Sequence, residues 1–154
     1  MLSLFKYERI ADGIRILGSK FELEDVVIPE GVVEIAEDAF ADEEIETVNF
    51  PNSLLRIADG AFSDCAFLRC VYFPKKCRLR EIGDNCFESS IITRLLLPGE
   101  IESIGSFAFS SCEYLEEIGL DNPQSIKTVG EGAFEDCSSL SDRNIPEAIK
   151  RKMR

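Results

Sequence analysis

The sequence predicts an α/β solenoid, a stack of similar turns that each contribute a short parallel strand, with a β-hairpin at one end and a short helix at the other. Three observations predict it. A strand slot of the form Leu-x-x-Val-x-Ile returns along the chain in one phase, and all six prolines fall just after it. A phenylalanine then stands five residues beyond the end of a second apolar pair in every full turn.

The chain opens on Leu4 to Leu17, where apolar and polar residues alternate on both sides of Asp12-Gly13, a pair that tolerates the positive φ of a tight hairpin. Residues 1–20 therefore read as a hairpin covering the N-terminal end of the stack, which would otherwise expose its core and an unpaired strand edge.

Residues 21–146 hold five full turns and part of a sixth. The strand slot reads Leu23/Val26/Ile28, Ile45/Val48/Phe50, Leu68/Val71/Phe73, Ile92/Leu95/Leu97 and Leu115/Ile118/Leu120, then Leu140/Arg143/Ile145. Pro29, Pro51, Pro74, Pro98, Pro123 and Pro146 follow it, ending each strand without removing a hydrogen bond from its middle. The second apolar pair is Val32/Ile35, Leu54/Ile57, Leu79/Ile82, Ile101/Ile104 and Ile126/Val129, and Phe40, Phe62, Phe87, Phe109 and Phe134 come after it. Burying one such ring per layer contributes about 2–3 kcal/mol each.

Cys65, Cys112 and Cys137 stand three residues beyond their phenylalanine, in the turns with the longer connection to the next strand. The expectation is that this connection turns a small apolar side chain inward, whereas Glu43 and Ser90 on the shorter one stay near solvent. Phe107 fills a slot that holds Asp38, Gly60, Asn85 or Gly132 elsewhere, and it reads as exposed. In the tail, residues 147–154, Ile149 and Met153 are four apart after Pro146, which suits a short basic helix over the last turn, or a basic recognition tail.

Composition narrows the function. With 17 Lys and Arg against 29 Asp and Glu, a net charge of −12 argues against a primary role on nucleic acid or an anionic membrane and favours a basic protein partner. No apolar run in Met1 to Lys20 has the length of a signal peptide or membrane span, so cytoplasmic residence is the default, with surface or secreted residence if a leader has been removed. Reduced thiols and a monomer are expected. The chain has no histidine, which removes the commonest general base and metal ligand. No calcium-loop pattern and no Cys-x-x-Cys pair occurs, so neither enzyme activity, metal nor cofactor is expected.

The motif Val26-x-Ile28-Pro29-x-x-Val32-x-x-Ile35-x-x-x-Ala39-Phe40 resembles the BspA-type leucine-rich repeat, and five turns match it independently. Phe5-x-Tyr7 with Asp12-Gly13-Ile14-x-Ile16 is similar to the hairpin that precedes such arrays. Cys86-Phe87 replaces Ala-Phe, and the segment from Pro74 to Leu79 is two residues longer than its counterparts after Pro29, Pro51 and Pro98. The resemblance implies a leucine-rich-repeat solenoid that binds other proteins, often at surfaces of bacteria and protists, with no shared catalytic residues.

In such a solenoid the strands line a concave face, and residues alternating with the buried ones point out of it. Those residues are Asp25/Val27, Thr47/Asn49, Cys70/Tyr72, Arg94/Leu96, Glu117/Gly119 and Asp142/Asn144. Tyr72, Leu96 and Arg94, with Cys70, Asn49 and Glu117 around them, have the composition of a protein-contact centre and are the first candidate site. The second is acidic. No Lys or Arg occurs between Lys20 and Arg56, while Glu24, Asp25, Glu43, Glu44 and Glu46 are among the acids in between. That surface could compete with nucleic acid for a basic protein, which makes an acidic inhibitor the alternative function and a surface adhesion repeat a third.

Overall fold

The computed structural model describes residues 1–153; Arg154, part of the basic tail, lies outside the described residues. The hairpin consists of β1 (Phe5–Ile10) and β2 (Gly13–Ser19), antiparallel, with a register shift between Lys6 and Tyr7. The turns then run through β3 (Asp25–Val27) and β4 (Val32–Ile35), β5 (Thr47–Asn49) and β6 (Arg56–Ile57), β7 (Cys70–Tyr72) and β8 (Glu81–Ile82). They continue through β9 (Arg94–Leu97) and β10 (Ser103–Ile104), then β11 (Glu117–Leu120) and β12 (Thr128–Val129), and the tail forms α1 (Glu147–Lys150).

Each full turn thus carries two strands, one more than the repeat pattern suggested. The second apolar pair is itself a ladder: β4, β6, β8, β10 and β12 join β1 and β2 in one seven-stranded sheet, parallel beyond the hairpin. In this ladder the paired segment is usually two residues long, and two residues are too few for the alternation by which a strand is read. The strand slot forms the other face, in two pieces, β3-β5-β7 and β9-β11. The break between β7 and β9 falls after the turn whose connection, from Pro74 to Leu79, is two residues longer than the corresponding ones.

The core between the two faces is a column of rings. Phe40, Phe62, Phe87, Phe109 and Phe134 stack with centroids 5.0, 5.3, 5.3 and 5.5 Å apart and planes within 12° of parallel. Phe5 closes the N-terminal end of the column edge-on, 6.2 Å from Phe40 at 87°, and is fully buried. The hairpin therefore caps both things the first turn would expose, its ring and the edge of its second ladder.

The phenylalanine segment is held between turns by backbone pairing. The N–H groups of Asp38, Phe40 and Asp42 donate to the carbonyls of Asp59, Ala61 and Ser63 in the next turn at 3.0, 2.8 and 3.0 Å. The same triple recurs from Gly60, Phe62 and Asp64, from Asn85, Phe87 and Ser89, and from Phe107, Phe109 and Ser111. Its outer members adopt left-handed backbone, for example Asp38 at φ 53° and Asp42 at φ 60°. Asp, Asn and Gly tolerate that region best, which explains the residue types at Asp38, Gly60, Asn85 and Gly132.

Phe107 departs from this rule and from its expected exposure. It is half-buried at φ 56°, with its ring packed over Gly132 of the following turn. Its backbone takes the slot's conformation at a cost of about 1–2 kcal/mol that the ring's packing offsets.

The inward cysteines are as expected: Cys65 and Cys112 are fully buried and Cys137 nearly so. Each thiol donates to the carbonyl of the previous turn's phenylalanine, Cys65 to Phe40 at 3.0 Å, Cys112 to Phe87 at 3.3 Å and Cys137 to Phe109 at 3.1 Å. Ser90 is a correction: it is buried, because its hydroxyl finds the Cys112 Sγ at 3.2 Å and so enters the core without an unmet hydrogen bond. Glu43 is half-buried.

The sixth turn does not form a strand. Asp142–Asn144 is a 3-10 turn, and Asn144 Nδ2 donates 2.9 Å to the Glu116 carbonyl. The helix α1 follows Pro146, buries Ile149 completely, and is tied down by Lys150 Nζ to Asp142 Oδ2 at 2.9 Å.

Candidate binding face

Strand pairing puts the outward residues of the strand slot into two rows. One runs Asp25, Thr47 and Cys70 in register through β3, β5 and β7, and Arg94 and Glu117 through β9 and β11. The other runs Val27, Asn49 and Tyr72, then Leu96 and Gly119. The buried residues between them, Val26, Val48, Val71, Leu95 and Ile118, fix this direction, since side chains alternate along a strand.

Tyr72 and Leu96 are each 56% exposed, as is nearly half of Val27 at 49%. Tyr72 and Leu96 flank the break in the ladder. Gly119 leaves room for Leu96, whose Cδ2 would lie 2.7 Å from a Cβ there. Arg94 is not a free cation: its Nε donates 3.0 Å to Glu117 Oε2, so those two candidates form one exposed ion pair. Cys70 and Asn49 are exposed beside them.

A second apolar stripe belongs to the same turns. Phe67, Ile91 and Tyr114 each precede the first buried residue of their strand slot, Leu68, Ile92 and Leu115. Phe67 is 54% and Tyr114 58% exposed, and Ile91 N–H donates 2.9 Å to the Leu68 carbonyl. The signal was present in the sequence as three apolar residues in a slot that holds Glu22 and Glu44 earlier, but a bulky residue next to a core position reads as core.

The acidic candidates separate. Glu46 Oε2 holds Arg69 Nη2 at 2.8 Å, and Asp25 Oδ1 accepts from the Thr47 hydroxyl at 2.6 Å. Glu24, Glu43 and Glu44 gather with Glu22 and Asp42 around one hollow beside Leu23. Two mid-chain arginines are likewise paired, Arg69 to Glu46 and Arg80 Nε to Glu100 Oε2 at 3.7 Å.

On the opposite face a run of alternating charge crosses β1, β2, β4, β6 and β8. Arg15 Nη1 lies 2.7 Å from Glu8 Oε1, Arg15 Nε lies 3.0 Å from Glu34 Oε1, and Arg56 bridges Glu34 at 3.5 Å and Glu81 at 3.3 Å. Arg15 Nε sits at ion-pair distance from Glu34 without hydrogen-bond alignment, while Arg15 Nη2 donates to Glu34 Oε2 at 3.3 Å.

Burial pushes the Cys65 and Cys137 thiols up to about 12, and those of Cys77, Cys86 and Cys112 upward as well, so none of these is a nucleophile near neutrality. Among the described residues no group of three or more His, Cys, Asp or Glu is placed to hold a metal ion, and no helix is long and apolar enough to cross a membrane.

Comparison with known proteins agrees with this geometry. Six copies of the BspA type leucine rich repeat region match, within residues 18–89 and 33–152. The chain is similar to a leucine-rich repeat protein of T. pallidum, with 31% identity over 92% of this chain and 68% of that one, at a TM-score of 0.85. It shares its fold with a leucine rich cell surface protein from Faecalibacterium prausnitzii, 17% identical over 90% of this chain and 52% of that one, at a TM-score of 0.63. The same holds for the pneumococcal vaccine antigen PcpA, 18% identical over 89% of this chain and 49% of that one, at a TM-score of 0.69. The chain thus spans about two thirds of the first protein and about half of the other two. No curated protein matches it, and the matches indicate no enzyme family. Repeat spacing, ring column and structural likeness together make the chain a member of the BspA-type leucine-rich repeat family.

Proposed function

We propose that the chain works as a non-catalytic protein-binding module whose strand face, centred on Tyr72 and Leu96, makes the contact. The observation that supports this reading is the placement of two large apolar side chains, each 56% exposed, in one outward row between the Thr47/Asn49 and Glu117/Gly119 rungs. Tyrosine and a neighbouring aliphatic residue inside a polar border are what the energetic centre of an interface requires. The exposed Phe67 and Tyr114 in the same turns enlarge the apolar area a partner could cover. The similar fold of a leucine rich cell surface protein supports a use of this face at a surface.

A pull-down from the native host with the wild-type chain and with Tyr72→Ala/Leu96→Ala tests the reading. Loss of the partner in the double variant is the expected result. The acidic hollow around Glu22, Glu24, Asp42, Glu43 and Glu44 favours a second reading, a docking site for a basic protein. Retention by the double variant, together with loss on Glu43→Lys/Glu44→Lys, would replace the first reading with the second.

A further inference from the structure

The two ends of the ring column differ. At the N-terminal end, Phe5 covers Phe40, and Gly18 lies so close to the Ala39 carbonyl that a Cβ there would stand 3.0 Å from its oxygen. At the C-terminal end the triple N–H pattern continues to Gly132, Phe134 and Asp136, the counterparts of Phe107, Phe109 and Ser111. These three groups have no acceptor among the described residues. Gly132 and Phe134 border an open hollow of about 370 Å³ lined by Phe107, residues 130–135 and Met153. The helix α1 seals the core through Ile149, and among the described residues none pairs with this edge.

We infer that this edge binds a peptide segment of another protein in the conformation of a further turn, its carbonyls accepting from Gly132, Phe134 and Asp136 and an apolar side chain entering the hollow. The chemistry selects that occupant. Donors regularly spaced in one chain segment call for carbonyls spaced alike, which a backbone supplies and a compact anion does not. Glu131 and Glu135 on either side of Phe134 disfavour an anion further. A second copy fits badly in either sense. Tail to tail it sets donors against donors, and head to tail it meets the hairpin that already covers Ala39 and Phe40. The site is separate from the Tyr72 row and does not rest on its function.

The test is amide hydrogen exchange on the full chain by NMR, with a synthetic peptide of residues 101–112 as the probe, since this segment carries the Ser106, Ala108 and Ser110 carbonyls that already serve the preceding turn and sets no carboxylate against Glu131 and Glu135. In the free chain Gly132, Phe134 and Asp136 should exchange fast while Phe107, Phe109 and Ser111 are protected. Saturating peptide is expected to slow the first three about tenfold or more. Met153→Glu, which places charge at the hollow, should weaken peptide binding without altering exchange at Phe107 or Phe109. Unchanged exchange under saturating peptide would overturn the proposal. So would peptide-induced changes confined to the Tyr72 row, or protection that grows with protein concentration alone, which would assign the edge to a second copy.

Discussion

The ring of Phe107 fills the space that a Cβ on Gly132 would occupy one turn further on, and both residues stand in the left-handed region, at φ 56° and 63°. Gly132→Ala therefore meets a backbone penalty and a steric one. It should lower stability by about 1–3 kcal/mol, read from the urea midpoint. In a Phe107→Asn background, where the slot holds the residue type found at Asn85, only the backbone part of about 1 kcal/mol should remain. Equal losses in the two backgrounds would show that the ring is not what excludes a side chain there.

Thiol reactivity should follow burial. Of the six cysteines only Cys70 is exposed, so alkylation of the native chain at neutral pH should add one group, at Cys70, and six after denaturation. Mass spectrometry of the intact chain and its peptides checks this.

The same burial couples stability to alkaline pH. Cys65 and Cys137 are raised from 9.0 to about 12 in the folded chain, so folding holds their protons more tightly than the unfolded chain does. Their contribution is whole below pH 9.0 and is lost progressively as pH rises towards 12. Cys65→Ala should unfold more easily at pH 7, by about 1–3 kcal/mol for the lost packing and the lost thiol hydrogen bond to the Phe40 carbonyl, which keeps the Glu43 N–H as its other donor. It should also lose less further stability between pH 9 and 11 than the wild type. A parallel decline in the two would refute the coupling.

Glu34 sits between two arginines, with its side chain 16% exposed, whereas Glu8 at the outer end of the same run is 46% exposed. Glu34→Gln should cost about 1–2 kcal/mol because Arg15 and Arg56 are left facing each other, and Glu8→Gln should stay within about 0.5 kcal/mol. Raising salt should narrow the gap between them. Chemical denaturation at two ionic strengths decides it.

Truncation along the ring column should grade with position. Phe87 touches a parallel ring on each side, at 5.3 Å both ways, while Phe134 has a ring on one side and borders the hollow. Phe87→Ala should cost about 3–5 kcal/mol and Phe134→Ala less. Thermal or urea unfolding gives the order.

Much of this fold was legible because burial acts on residue type in a fixed phase. Leu68, Val71 and Phe73 differ in type from Ile92, Leu95 and Leu97 at every position, yet each set satisfies the same layer of the core. The second ladder was hidden since Arg56–Ile57 and Glu81–Ile82 pair over two residues only. The left-handed corners were visible as Asp, Asn and Gly, but Phe107 shows that a ring with somewhere to pack can override that preference. Arg143 could be seen as foreign to a buried strand position, and there the chain turns into a 3-10 segment instead.

The candidate site was less legible. The outward row came from alternation, which is local, so Tyr72 and Leu96 were found. Ion pairs between turns are not local: Arg94 meets Glu117 and Arg69 meets Glu46 at separations of 23 residues, a distance set by turn length and loop insertions. Ser90 entered the core for a similar reason, through a partner in the next turn.

Two ladders of unequal continuity give the stack a spine and a split cover. The seven-stranded side runs unbroken from the hairpin to β12, while the other side is parted between β7 and β9. Strand pairing thus leaves one joint in the cover, and whatever sits across it, on Tyr72 and Leu96 together, would act as a splint between the two pieces.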